Sequence, residues 1–223
     1  MAFTSFRFIV FLVLAAAAYF LTPKRCRWVT LFVANYVFYF ISGGRIFIYL
    51  LATTVTTYLA TVKIGDMAAK NKIAFNEAKA ELDKEGKKAW KAAFAKKKKR
   101  ILIPTLLFNF GILAVLKYSG FVTENLNLLF AKIGIGTELP VFRFLLPLGI
   151  SFYTFQSMGY LIDVYREKQE PERNFCKLAL FISFFPQIVQ GPISRFGTLA
   201  EQLFRANEFS YTRIKFGVQL MLW

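Results

Sequence analysis

No histidine occurs anywhere in the 223 residues, so the side chain that most often acts as a general base near neutral pH is missing. Cys26 and Cys176 lie far apart, each beside basic residues. They form no metal-ligand spacing, and on a cytoplasmic face they stay reduced. What remains for chemistry is polarity set inside apolar runs. The segment 145–165 carries Ser151, Tyr153, Thr154, Gln156, Ser157, Tyr160 and Asp163. Tyr153, Gln156, Tyr160 and Asp163 fall at i, i+3, i+7 and i+10, one face of a helix. A charge at the bilayer centre costs about 2.5–3.5 kcal/mol, so this face turns toward other helices or a wet cavity. Two readings are open: hydrogen bonds that only hold a bundle together, worth about 0.6 kcal/mol each, or the lining of a substrate path. Asp163 also stands close to Arg166, where a membrane interface would suffice to explain it.

A second polar group follows in Phe185-Pro186-Gln187-Ile188-Val189-Gln190-Gly191-Pro192-Ile193-Ser194-Arg195. Two prolines and a glycine interrupt a helix here and free main-chain groups. Gln187, Gln190, Ser194 and Arg195 are placed to satisfy them or to meet a ligand. A plain exit from helix to loop is the alternative. Neither segment alone identifies a reaction.

The elements that must position these groups are apolar helices. Hydrophobic residues make up 56% of the chain and aromatics 18%, with a mean hydropathy of +0.44. They fall in long runs separated by short charged segments. Spans are expected at Phe3–Leu21, Trp28–Ile41, Arg45–Val62, Ile101–Tyr118 and Leu145–Tyr165. The first is read as a retained helix instead of a cleaved signal, because its charges follow the apolar run. Pro104 is expected in the first turn of the fourth span, where a missing N–H costs least. Residues 121–144 read as irregular or partly re-entrant. Phe175–Val189 is a partial span interrupted by Pro186, and Thr198–Ala206 a short surface helix. The apolar run Tyr211–Trp223 has no capping glycine, proline or charge cluster after it, so the chain reads as truncated inside a helix.

The net charge is +16 and it is clustered. Lys24, Arg25 and Arg27 form one group. A larger one runs from Lys63 to Arg100 and ends in Lys96-Lys97-Lys98-Lys99-Arg100; within it residues 66–100, rich in helix formers, read as a basic cytoplasmic loop with a solvated or interfacial helix. With both on one side, the positive-inside bias puts the N-terminus outside, the Ser42-Gly43-Gly44 turn outside, and Arg166, Lys168 and Arg173 inside. No aromatic-studded binding motif accompanies the lysines, so nucleic acid is not the expected partner. A membrane-surface role for this loop is a further alternative.

Pro147-Leu148-Gly149-Ile150-Ser151-Phe152-Tyr153-Thr154-Phe155-Gln156, continuing through Tyr160-Leu161-Ile162-Asp163-Val164-Tyr165-Arg166, resembles the signature of the membrane-bound O-acyltransferases. Glu172-Arg173-Asn174-Phe175, Phe184-Phe185-Pro186-Gln187 and Gly191-Pro192-Ile193 follow in the family's order, and Pro23-Lys24-Arg25 and Lys117-Tyr118 also fit. The wording around Gln156 and Tyr160–Arg166 is more similar to the alginate O-acetylation branch than to the branch that moves D-alanine onto teichoic acid.

The resemblance implies an all-α polytopic bundle around a funnel. Residues 1–223 would be the N-terminal part of one acyltransferase domain in the plasma membrane. It implies transfer of an acyl group, acetyl in this branch, to an exported cell-surface polysaccharide. The family's catalytic histidine has no counterpart here, so no catalytic residue is assigned and the chain alone is expected to be inactive. Gln156, Tyr160, Asp163, Pro186, Gln187, Gly191, Pro192 and Arg195 are carried over as scaffold or tunnel lining. No bound cofactor or metal is implied. An acyl thioester or acyl carrier protein would be the donor, and membrane lipid, the polysaccharide and an acetyltransferase would be partners. D-alanyl transfer and a non-catalytic scaffold of a polysaccharide export complex are the alternatives.

Overall fold

A computed structural model describes residues 6–80, 82–134, 139–141 and 144–222. Among the described residues the secondary structure is helical throughout, with no strand. The order is α1 (Phe6–Leu21), α2 (Arg27–Gly43), α3 (Phe47–Ala78), α4 (Lys84–Ile133), α5 (Ile150–Tyr165), α6 (Phe175–Ser183), α7 (Phe185–Gln190), α8 (Phe196–Phe204) and α9 (Tyr211–Leu222). Single 3-10 turns at Lys24–Cys26 and Gly44–Ile46 join the first three. Helices α3 and α4 are long and apolar enough to cross a bilayer. Their outer faces stay apolar, with Ile48, Leu59, Leu107 and Val115 all exposed. This is an all-helical membrane protein.

Helix α3 lies at the centre, packed against α4, α5 and α6. Its inner face is a stripe of threonines: Thr53, Thr54, Thr57 and Thr61 are all buried. Thr54 Oγ1 donates to the Leu50 carbonyl and Thr61 Oγ1 to that of Thr57, each at 2.8 Å. Bonding back to the preceding turn lets a small polar residue sit in an apolar interface. Asn109 of α4, 1% exposed, donates to Thr56 Oγ1 at 3.1 Å and ties α4 to α3.

Two expectations are corrected, both on α4. The basic stretch 66–100 that leads into it is helical on the two arms of a hairpin: α3 continues to Ala78 and α4 begins at Lys84, so the lysines stand on that hairpin. Alanine, lysine and glutamate favour helix strongly enough to extend both spans past the membrane. Asp83 caps α4, accepting from the Gly86 amide at 2.7 Å. Pro104 therefore lies inside a 50-residue helix and not in its first turn. Prolines are tolerated there in membrane helices because nearby groups re-satisfy the freed backbone. Finally, 121–133 is regular helix. Gly134, at φ 80°, closes it, with its N–H reaching back to Phe130 and Ala131. That is the left-handed cap glycine supplies most easily. Residues 135–138 and 142–143 of the stretch read as irregular lie outside the described residues, as does Trp223.

Basic residues gather at one end of the bundle through contacts distant in sequence. Lys24 Nζ meets Glu208 Oε1 at 2.6 Å, and Arg173 meets Asp66 at 2.6 Å. Lys177 lies over the rings of Trp28 and Phe204. Arg27 donates to the carbonyls of Thr22 and Asn207 and covers the ring of Tyr19. At the other end the turn after α2 meets Pro147 and Leu148 across a small cavity.

Candidate functional site

The polar face of α5 and the broken helix α6–α7 meet inside the bundle. Helix α6 stops at Ser183, and Phe184 turns the chain with ψ 97° before Pro186 starts α7 in its first turn. A helix end leaves carbonyls without partners, and a helix start leaves N–H groups without partners. At membrane depth these must be satisfied by protein. Two buried amides do so. Gln156 Nε2 of α5 donates to the carbonyl of Phe181 at 2.9 Å. Asn35 Oδ1 of α2 accepts from the Phe185 N–H at 2.7 Å. Gln156 is 2% exposed and Asn35 fully buried.

The rest of the face works on neighbouring irregular backbone. Tyr160, 2% exposed, accepts from the amide of Glu172 through its hydroxyl at 2.7 Å. Its ring packs 4.8 Å from that of Phe196 and 6.1 Å from that of Phe181. Tyr153 is buried on the same face. Asp163 is half-buried in the last turn of α5, at the basic end.

Beyond α7 the chain turns on itself. Gln187 Nε2 donates to the Pro192 carbonyl at 2.5 Å, and the Gly191 N–H to the Gln187 carbonyl at 2.8 Å. A side chain at Gly191 would come within 2.9 Å of Gln187 backbone, so the turn requires glycine. Gly149, just before α5, is at φ 68°, and a Cβ there would lie 1.8 Å from the Ile188 side chain. This close approach brings the start of α5 onto α7. Pro186, Pro192 and Arg195 are exposed, and Gly191 is half-buried. Arg195 precedes α8.

Of the eight residues singled out in sequence, Gln156, Tyr160 and Gln187 enter the interior and act on main-chain groups. Asp163 is half-buried in the last turn of α5, and Arg195 is exposed just before α8. Pro186 lines a separate apolar groove of about 420 Å³ between α1, α2, α7 and α8, which none of the other seven lines. Asn35 was not singled out in sequence, although a lone asparagine inside the apolar run 28–41 is a signal of the same kind as Gln156. Among the described residues no three histidine, cysteine, aspartate or glutamate side chains come together as metal ligands.

Comparison with known proteins extends the motif resemblance along the chain. It is 32% identical over 219 residues, 97% of its length, to "Probable alginate O-acetylase AlgI" of Azotobacter vinelandii. The protein of the same name in Pseudomonas aeruginosa is 31% identical over 219 residues. A "Peptidoglycan O-acetyltransferase" of Helicobacter pylori is 30% identical over 143 residues, 52% of this chain and 26% of that protein. The chain is thus a relative of the alginate O-acetylases, and it spans 38% of the length of the Azotobacter protein and 36% of the Pseudomonas one. No family model matches it, and no solved structure matches it.

Proposed function

We propose that this relative of the alginate O-acetylases forms part of a membrane O-acyltransferase that moves an acyl group, acetyl in this reading, onto an exported cell-surface polysaccharide. The observation that carries the proposal is likeness over 97% of the chain to proteins named for alginate O-acetylation. The peptidoglycan O-acetyltransferase likeness supports the same coarse chemistry, an acyl ester formed on a glycan hydroxyl.

The role of these residues is architectural. Gln156 and Asn35 hold the α6–α7 break, Tyr160 and Gln187 hold the segments on either side, and Gly149 sets the spacing of α5 from α7. A general base would take a proton from the acceptor hydroxyl as it attacks the donor carbonyl. In this reading that base, a histidine, lies outside the 223 residues. The acyl donor, a thioester or a loaded carrier protein, approaches from the cytoplasm. Asp163 and Arg195 are the groups we assign to that side. The chain is multi-pass with its N-terminus outside. The supporting observation is the gathering of Lys24, Arg27, Arg173 and Lys177 at one end, as the positive-inside bias favours.

The test is deletion of the gene, followed by measurement of ester-linked acetate and ester-linked D-alanine in envelope polysaccharide. Loss of acetate with D-alanine unchanged is expected. Loss of D-alanine alone rejects the acetyl assignment, and loss of neither rejects acyl transfer in favour of a scaffold.

A further inference from the structure

The hairpin formed by the distal parts of α3 and α4 encloses a cleft of about 360 Å³ that the acyl-transfer reading does not use. Its walls include Lys72 and Phe75 from α3 and Trp90, Lys91, Phe94 and Lys98 from α4. The volume falls within the range of small-molecule sites, about 300–1,000 Å³. Trp90 is fixed in the wall: its indole N–H donates to Asn71 Oδ1 at 3.0 Å, and its ring lies 6.1 Å from that of Phe75.

At the base of the cleft Lys98 is 7% exposed. Its ammonium donates to the Tyr165 carbonyl at 2.9 Å and to Glu167 Oε1 at 2.5 Å, and it faces the rings of Phe94 and Tyr165. Glu167, the carboxylate that lines the cleft, is thus spent on Lys98. Lys72 and Lys91 stand on the wall exposed. The cleft therefore offers two accessible cations above an aromatic floor.

Its depth along the helices identifies the ligand class. The cleft starts at Ala68, one turn past the buried Ile64 of α3, and at Lys98, just before the apolar run that begins at Ile101 of α4. Its far wall at Phe75 is about 10 Å further along, at 1.5 Å per residue. That places the opening in the layer of lipid headgroups, where tryptophan rings and lysines concentrate. Basic pockets between helices at this level suit anionic headgroups. We propose that this cleft binds the phosphate of an anionic phospholipid, with Lys72 and Lys91 as its cations, Trp90 and Phe75 closing its water side, and Ala68, Phe94 and Ala95, on the membrane side of the lysines, against the glycerol and upper acyl chain. The proposal requires only that α3 and α4 lie in a membrane, and it stands or falls separately from acyl transfer.

The experiment uses the 223-residue chain in neutral detergent with Trp28→Phe and Trp223→Phe, so that emission reports Trp90 alone. Short-chain phosphatidylglycerol should change this emission saturably, whereas phosphatidylcholine of the same chain length should not. Lys72→Gln with Lys91→Gln should weaken the response at least about tenfold, while Lys84→Gln with Lys88→Gln, the same loss of charge nearer the hairpin tip, should change it less than twofold. All four lysines are exposed, so their replacement leaves the packing in place. An equal response to phosphatidylcholine, or equal weakening by the tip variants, overturns the site. Saturation by glycerol phosphate at the same concentrations overturns the lipid assignment and leaves a soluble phosphate as the ligand.

Discussion

Gln156 and Phe181 are 25 residues apart, and the amide of one closes the helix end that contains the other, at 2.9 Å in the buried centre of the bundle. Asn35 does the complementary task on the far side of Phe184. We expect Gln156→Leu and Asn35→Leu each to lower stability in detergent by about 1–3 kcal/mol, because each strands a buried backbone group. Membrane interhelical hydrogen bonds average only about 0.6 kcal/mol, so a loss near that figure would mean that the freed group finds another partner. Denaturant unfolding followed by circular dichroism decides between these outcomes.

Gly149→Ala should be more damaging than its size suggests. The residue sits at φ 68°, and the added methyl would overlap Ile188. Backbone strain of this kind costs about 1–3 kcal/mol, and the overlap adds to it. Ile188→Ala in the same chain should restore part of the loss. Thermal unfolding of the two single variants and the double variant would reveal this coupling, and strict additivity would contradict it.

The carboxyl of Glu208 is held below the usual glutamate range by the hydrogen bond and charge of Lys24. A depressed folded value means that the pair contributes above the ordinary glutamate value near 4.3 and is lost as pH falls through the depressed one. Both side chains are exposed, so salt screens the effect. In an NMR titration Lys24→Met should raise the Glu208 midpoint toward the ordinary value. An unchanged midpoint would mean that the two groups are not paired in solution.

The proposed topology predicts which positions an impermeant thiol reagent reaches on intact cells. With Cys26 and Cys176 replaced by serine, a cysteine at Gly43 should label and one at Lys88 should not. Gly43 has open space for a side chain, and Lys88 is exposed on the hairpin. Labelling at Lys88 alone would reverse the orientation.

The 223-residue chain should show no acyl transfer on its own. It has no histidine, and its buried polar groups Gln156 and Asn35 are committed to backbone. Purified chain mixed with acyl thioesters and hydroxylated glycans should give no ester. Turnover that a point substitution within the chain abolishes would place the base among these residues after all.

What sequence alone determined is the material of the fold. The apolar runs require helices in a bilayer, because a chain in lipid must satisfy its own backbone. The order of motifs from Pro147 to Ile193 pointed to the acyltransferase likeness. The spacing of Tyr153, Gln156 and Tyr160 put them on one helical face, and that face is buried. Sequence could not say whether the face lined a path or held the bundle, since periodicity reports direction and not the neighbour. Only tertiary structure brought Gln156 to Phe181, Asn35 to Phe185 and Gly149 to Ile188. It also decided that the basic stretch is a hairpin with a cleft. Helix propensity is local and sets where α3 and α4 run. Whether two helices lean together to bury Lys98 against Tyr165 depends on packing between segments 67 residues apart, which no local pattern records.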